Sequence, residues 1–124
     1  MISIGTDILE IERIEQTLTR LGDRFVRRIL TSAEQLEYHA SSNGARLLAK
    51  RFAGKEAVAK ALGTGIGRGV SWQDIHIDHD PVGAPLVNLT GGADTVARSR
   101  GGKNVLLSLS DEQRYVVAFA ALTE

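Results

Sequence analysis

Asp7 and Glu56 are the two carboxylates whose settings suggest chemistry. Asp7 lies near the end of an alternating segment, Ile2-Ser3-Ile4-Gly5-Thr6-Asp7-Ile8, and Glu56 sits in a basic stretch with Arg51 and Lys55 before it and Lys60 four residues on. A hard divalent cation such as Mg²⁺ commonly takes only one or two protein carboxylates and leaves its other positions to water and substrate phosphates. Arg51, Lys55 and Lys60 would supply counter-charge for a diphosphate, and they would keep the Glu56 carboxylate ionised. The same spacing also describes an ordinary i,i+4 surface pair of Glu56 with Lys60, worth roughly a few tenths of a kcal/mol. Periodicity alone favours that plainer reading.

Other constellations carry less. With 0 Cys, the chain has no disulfide, thiolate zinc site, iron-sulfur ligation or cysteine nucleophile. A Ser-His-Asp hydrolase finds little support, since there is no G-x-S-x-G elbow and His39 reads most simply as a helix-surface residue. Asp74, His76, Asp78 and Asp80 share one face of an expected strand, with His79 adjacent. That pattern fits a metal cluster, but it fits the wet face of a strand better, because no apolar shell surrounds it. Gly63-Thr64-Gly65-Ile66-Gly67 follows a long helix instead of opening one after a strand, which excludes a dinucleotide fingerprint, and no Lys-Ser/Thr pair follows for a P-loop. Two readings of these glycines stay open: a helix C-cap with its turn, or bare backbone that approaches a phosphate or a ligand ring closely.

The elements that must position these residues follow from hydrophobic period. Ile2, Ile4, Thr6 and Ile8 alternate with Ser3, Gly5 and Asp7, which predicts a first strand with Asp7 on its polar face. Ile11, Ile14, Leu18 and Leu21 then predict an amphipathic helix closed by Gly22. Asp23 is expected to cap a second helix that turns Phe25, Val26, Ile29 and Leu30 inward, and Thr31 with Glu34 has capping-box spacing for a third. Asn43 would cap the longest helix, from Gly44 to Leu62. Leu48, Phe52, Ala59 and Leu62 form one apolar stripe of it, whereas Ala49, Ala53, Glu56 and Lys60 form a small-residue stripe that ends in an acid and a base. Alanines permit close approach, and if the neighbour is the first strand, Asp7 and Glu56 converge. Strands are expected at 74–78 and 86–89, a short helix at 93–100, and a buried terminal hairpin from Val105-Leu107-Leu109 and the apolar run at 115–122. Helices followed by strands point to an α+β fold over one domain, residues 1–124.

The chain has 124 residues with 15 Lys plus Arg against 15 Asp plus Glu, so bulk attraction to nucleic acid is not expected. No apolar run approaches a membrane span, and the N-terminal segment lacks the basic and apolar regions of a secretory signal, so a cytoplasmic location is the default expectation. The charge is unevenly spread. Arg20, Arg24, Arg27 and Arg28 face only Asp23, and Arg46, Lys50, Arg51, Lys55 and Lys60 face only Glu56. Two basic segments in a neutral chain suggest an anionic ligand or an acidic partner, or else two solvated helix faces. Only 1 Trp, 2 Tyr and 3 Phe leave the core to Ile, Leu, Val and Ala, which self-association would assist.

Residue identity goes further than periodicity. Ile4-Gly5-Thr6-Asp7-Ile8 with Ile11 and Arg13-Ile14, followed by Arg51-Phe52-Ala53, Lys55-Glu56-Ala57, Lys60-Ala61 and Gly63-Thr64-Gly65-Ile66, resembles the small 4′-phosphopantetheinyl transferases of the holo-acyl-carrier-protein synthase type. The similarity runs along the whole chain, including Gly83-Ala84-Pro85 and the terminal Ser108-Leu109-Ser110 hairpin. The resemblance implies a 4′-phosphopantetheinyl transferase-like fold, an N-terminal strand and helices followed by an antiparallel sheet with a C-terminal hairpin. It implies Mg²⁺-dependent transfer of phosphopantetheine from coenzyme A to a serine of apo acyl carrier protein in fatty acid biosynthesis, with release of adenosine 3′,5′-bisphosphate and with Mn²⁺ as an alternative metal. It further implies a homotrimer with sites at subunit interfaces.

Under the same resemblance, the metal ligands fall on Asp7 and Glu56, and the catalytic or phosphate-binding lysine falls on Lys60. Arg51, Lys55 and the turn Gly63, Thr64 and Gly65 would hold coenzyme A, while Arg13, Arg20, Arg24 and Phe25 would dock the carrier protein. The attacking serine belongs to the partner, so the chain itself needs no nucleophile. One position departs from the pattern: many relatives carry His after the S-x-S of the penultimate strand, where this chain has Asp111 followed by Glu112. A carboxylate cannot donate to a phosphate as an imidazolium can, so that role is not carried over.

Overall fold

In the computed structural model, which describes residues 1–124, the chain runs β1 (Ser3–Glu10), α1 (Ile11–Leu21), α2 (Asp23–Ile29), α3 (Ser32–Ala40) and α4 (Gly44–Ala61). A short 3₁₀ turn at Trp72–Asp74 leads into β2 (Ile75–His79), β3 (Pro85–Leu89), α5 (Gly91–Ser99), β4 (Asn104–Asp111) and β5 (Tyr115–Thr123). β5 is central in a three-stranded antiparallel sheet of order β1-β5-β4, and β2 pairs with β3 as a separate hairpin. The architecture is α+β, with the helices first and most strands after, as the sequence pattern predicts.

Local chemistry accounts for the helix boundaries. Gly22, at φ +58°, closes α1 through its N–H to the Leu18 carbonyl and also precedes α2, so Asp23 is the first residue of α2 and not its cap. Thr31 and Glu34 form the expected capping box at the start of α3, and the Asn43 side chain accepts from the Arg46 N–H at the start of α4. The strand and α5 boundaries differ from the sequence expectation by one or two residues.

The core is where α4 crosses β1 and β5, and it is built from small side chains. Ala49, Ala53, Ala57, Val58 and Ala61 of α4 and Val116, Ala118 and Ala120 of β5 are all buried. Gly5 marks the closest approach. A Cβ there would stand against the Ala57 carbonyl oxygen, 2.5 Å from the Ala61 amide nitrogen and 2.8 Å from Lys60 Cβ. The Ser3 hydroxyl tightens the same seam by donating to the Ala61 carbonyl. Gly5→Ala is therefore expected to force β1 off α4 at a cost of about 3 kcal/mol, visible as a lower urea midpoint. A midpoint equal to that of the parent chain would show that the seam can relax.

This seam corrects the sequence reading of β1. Gly5 and Leu9 are buried and Asp7 is half-buried toward α4, whereas Ile4 and Ile8 are 52% and 67% exposed. Alternation identified the strand but inverted its faces. The close helix admits only small groups on one side, and the bulky residues are displaced to the other. The terminal hairpin is likewise buried on one face only, since Leu106, Val117 and Phe119 join Ile4 and Ile8 on an uncovered apolar surface.

Candidate active site

Asp7 projects from β1 toward α4, and Glu56 and Lys60 stand one turn apart on α4, so the close packing at Gly5 delivers three charged groups to one place. Lys60 Nζ donates to the Thr6 carbonyl at 2.9 Å and lies 3.3 Å from Asp7 Oδ1. The i,i+4 pair of Lys60 with Glu56 is not formed, because Lys60 turns to the strand instead. Burial raises the Asp7 carboxyl above its ordinary value, although Lys60 opposes the shift by hydrogen bond and charge. Glu56 is raised by burial and then by the charge of Asp7, again opposed by Lys60.

Two carboxylates that repel each other in a half-buried cleft, with one ammonium between strand and helix, are a donor set suited to a hard divalent cation. The cleft has a volume of about 370 Å³, and Asp7, Glu56 and Arg13 line it together with Leu9, Phe25 and Phe52. The arrangement offers charge for a polyanion beside an apolar wall.

Several residues expected to bind ligand are otherwise occupied. Lys55 is completely buried; its ammonium donates to Glu34 Oε1 at 2.6 Å, to the Ile29 carbonyl at 2.7 Å and to the Trp72 carbonyl at 3.1 Å. All three of its protons are used inside the fold, so it cannot hold a phosphate. The glycine turn is also committed internally: the N–H groups of Gly63, Thr64 and Gly65 donate to carbonyls of the last turn of α4, and the Thr64 hydroxyl donates to the Gly65 carbonyl. Gly63, Thr64 and Gly65 thus cap α4 and offer no free donor to a phosphate. Phe25 is 8% exposed and its ring centroid lies 6.1 Å from that of Phe52, so it forms the cleft wall and not an exposed docking residue.

Arg13, Arg20 and Arg24 lie exposed on α1 and α2, as expected of a basic docking surface. Arg51 is 1% exposed, 2.9 Å from Glu37 through its guanidinium, and it borders a second cleft of about 240 Å³ together with Arg46, Lys50 and His79. Of the acids and imidazoles expected to share a face at 74–80, only Asp78 and His79 converge, meeting Glu37 of α3 in an exposed group whose side-chain oxygen and nitrogen atoms lie within 4.8 Å of one another; the others are engaged elsewhere. Asp74 caps the 3₁₀ turn, His76 Nδ1 meets the Thr31 hydroxyl, and Asp80 receives the Val82 and Ala84 N–H groups.

Two residues to which the sequence assigns no site role organise this region. Glu34 is fully buried, accepting from Lys55 and the Thr31 N–H on one oxygen and from the Ile77 N–H on the other, with Arg51 Nε 3.8 Å away. Its capping-box position was visible in the sequence; its partners on α4 and β2 were not. Asp111 pairs with Arg46 at 2.7 Å and Lys50 at 3.4 Å, and Arg46 also donates to the carbonyls of Glu112 and Gln113. The basic segment of α4 is therefore not a bare solvated face: each of its cations has an acidic partner, which an incoming anion would have to displace.

Comparison with known proteins agrees with this architecture. The profile described as the 4′-phosphopantetheinyl transferase superfamily matches residues 3–120. The chain is 54% identical over 122 residues to the holo-[acyl-carrier-protein] synthase of Shewanella frigidimarina, covering 98% of this chain and 97% of that protein. Its fold superimposes on the crystal structure of holo-[acyl-carrier-protein] synthase from Neisseria meningitidis with a TM-score of 0.93 at 42% identity, covering all of both chains. The Helicobacter pylori enzyme, solved in complex with coenzyme A, superimposes with a TM-score of 0.85 at 31% identity over 97% of this chain and 99% of that one.

Proposed function

The chain belongs to the 4′-phosphopantetheinyl transferase superfamily, and from that premise we propose that it transfers 4′-phosphopantetheine from coenzyme A to a serine of apo acyl carrier protein, releasing adenosine 3′,5′-bisphosphate, as a step of fatty acid biosynthesis in the cytoplasm. The observation that carries this reading is the meeting of Asp7 and Glu56 at one cleft despite their separation in sequence, with Lys60 paired to Asp7 beside it.

Asp7 and Glu56 would hold a divalent cation, Mg²⁺ or Mn²⁺; bound there, it supplies charge to the diphosphate and stabilises the departing nucleotide. Lys60, half-exposed beside Asp7, shares the negative charge that grows on the leaving group. The apolar wall of Phe25 and Phe52 excludes water from one side of the cleft and strengthens every charge interaction within it. Arg51, which borders the second cleft with its guanidinium on Glu37, would meet the nucleotide half by exchanging that carboxylate for a phosphate. The nucleophile arrives with the carrier protein, and a carboxylate of the pair can accept its proton.

Arg13, Arg20 and Arg24 present positive charge to an acidic partner from α1 and α2, with Arg13 at the cleft itself. Arg24→Glu is expected to raise KM for carrier protein about tenfold with little change in kcat, and to weaken the salt dependence of the reaction. An unchanged KM would return that surface to solvent. The homotrimer is supported by the apolar outer face of Ile4, Ile8, Leu106, Val117 and Phe119, which no element of the chain covers. The decisive assay incubates the protein with coenzyme A, Mg²⁺ and apo carrier protein. A carrier that gains no phosphopantetheine in the mass spectrum would end the reading.

A further inference from the structure

Lys60 does more than stand near a phosphate. Its ammonium lies 3.3 Å from Asp7 Oδ1 and is tethered by a 2.9 Å hydrogen bond to the Thr6 carbonyl, on the backbone that presents Asp7. It is half-exposed while Asp7 is mostly covered, so the lysine can leave and the carboxylate cannot. A divalent cation on that oxygen at about 2.1 Å would lie within about 5.5 Å of the ammonium, in a setting less screened than bulk water. The two positive groups compete for one carboxylate. Glu56 makes no ion pair with Lys60 and feels its charge only at longer range, so the direct competition is for Asp7.

Building on the metal and diphosphate reading above, we propose that Lys60 is an internal counter-ion that competes with the divalent cation for Asp7, so that the metal site is weak in the free protein and tightens when the diphosphate of coenzyme A draws the ammonium away. Coenzyme A and metal would then load cooperatively. The coupling is reciprocal, as linkage requires, and each ligand raises the affinity for the other by the same factor. A lysine on Asp7 would also keep two adjacent carboxylates from taking up free metal when no substrate is present.

The test is direct binding of Mn²⁺, followed by electron paramagnetic resonance, to the folded protein without nucleotide. Lys60→Gln removes the charge and keeps a donor for the Thr6 carbonyl, and it should bind Mn²⁺ about tenfold more tightly than the parent chain. Arg13→Gln removes a positive charge from the same cleft that makes no ion pair, and it should change the affinity less than about twofold. At saturating coenzyme A, the gain in Mn²⁺ affinity should be larger in the parent chain than in Lys60→Gln. Equal effects of Lys60→Gln and Arg13→Gln, or an equal gain with coenzyme A in both proteins, would overturn the proposal and leave the metal site intact. Asp7→Asn separates the two ideas: if it does not weaken Mn²⁺ binding, the metal site itself is wrongly assigned.

Discussion

Glu56→Gln should melt at the parent temperature or slightly above it and should lose transfer activity by about 10³-fold at saturating Mg²⁺. The two halves of this expectation have one cause. Burial, then the charge of Asp7, raises the Glu56 carboxyl above its ordinary value. A carboxyl raised in the folded state makes that state bind protons more readily than the unfolded chain, so its contribution to stability falls as pH rises through that range. Above it, a neutral amide of the same shape removes the penalty. On the proposed reading, the same amide would remove one of two anionic ligands and leave the cation held too weakly against water. Full turnover in the folded variant would remove Glu56 from the site, while a large drop in melting temperature would show that its charge is structural.

Glu34→Ala acts on the fold, and we expect it to lower stability by about 3–5 kcal/mol. For a domain of this size, that corresponds to a fall in melting temperature of roughly 10–20 °C. The Lys55 ammonium would remain fully buried without its anionic partner, and Arg51 Nε, already without a hydrogen-bond partner, would lose its nearby carboxylate. The Ile77 and Thr31 N–H groups would each lose an acceptor as well. The double variant Glu34→Gln with Lys55→Met should be more stable than Glu34→Ala alone, because it leaves no unpaired charge behind. If calorimetry finds less than about 1 kcal/mol for Glu34→Ala, the buried pair is not what joins α3, α4 and β2.

Much of the scaffold was legible before any coordinates. The capping box at Thr31 and Glu34, the Asn43 cap and the C-cap glycine Gly22 are local devices, since each satisfies backbone groups within a few residues, and each is found in the structure. The small-residue stripe of α4 was equally informative, because alanines at Ala49 and Ala53 permit a close strand and the strand is there. The inward face of β1 was misread for a related reason. Where helix and strand come this close, size selects the inner residue and hydrophobicity does not, so Gly5 turns in and Ile4 turns out. Lys55 was misread as well, since one turn of helix separates a cation in solvent from a cation in the core, and spacing along the chain does not distinguish them.

The sequence by itself determined the element types, most of the helix ends, the absence of thiol chemistry and the family resemblance carried by the motifs around Asp7 and Glu56. These rest on residue identity and on interactions that close within a turn or two of chain. Tertiary structure alone decided which cations are free and which are paired: Lys55 with Glu34, Arg46 and Lys50 with Asp111, and Lys60 with Asp7. Each of these pairs joins segments far apart in the chain. The strength of a charge interaction depends on distance and burial in three dimensions, and neither is written in the order of the residues.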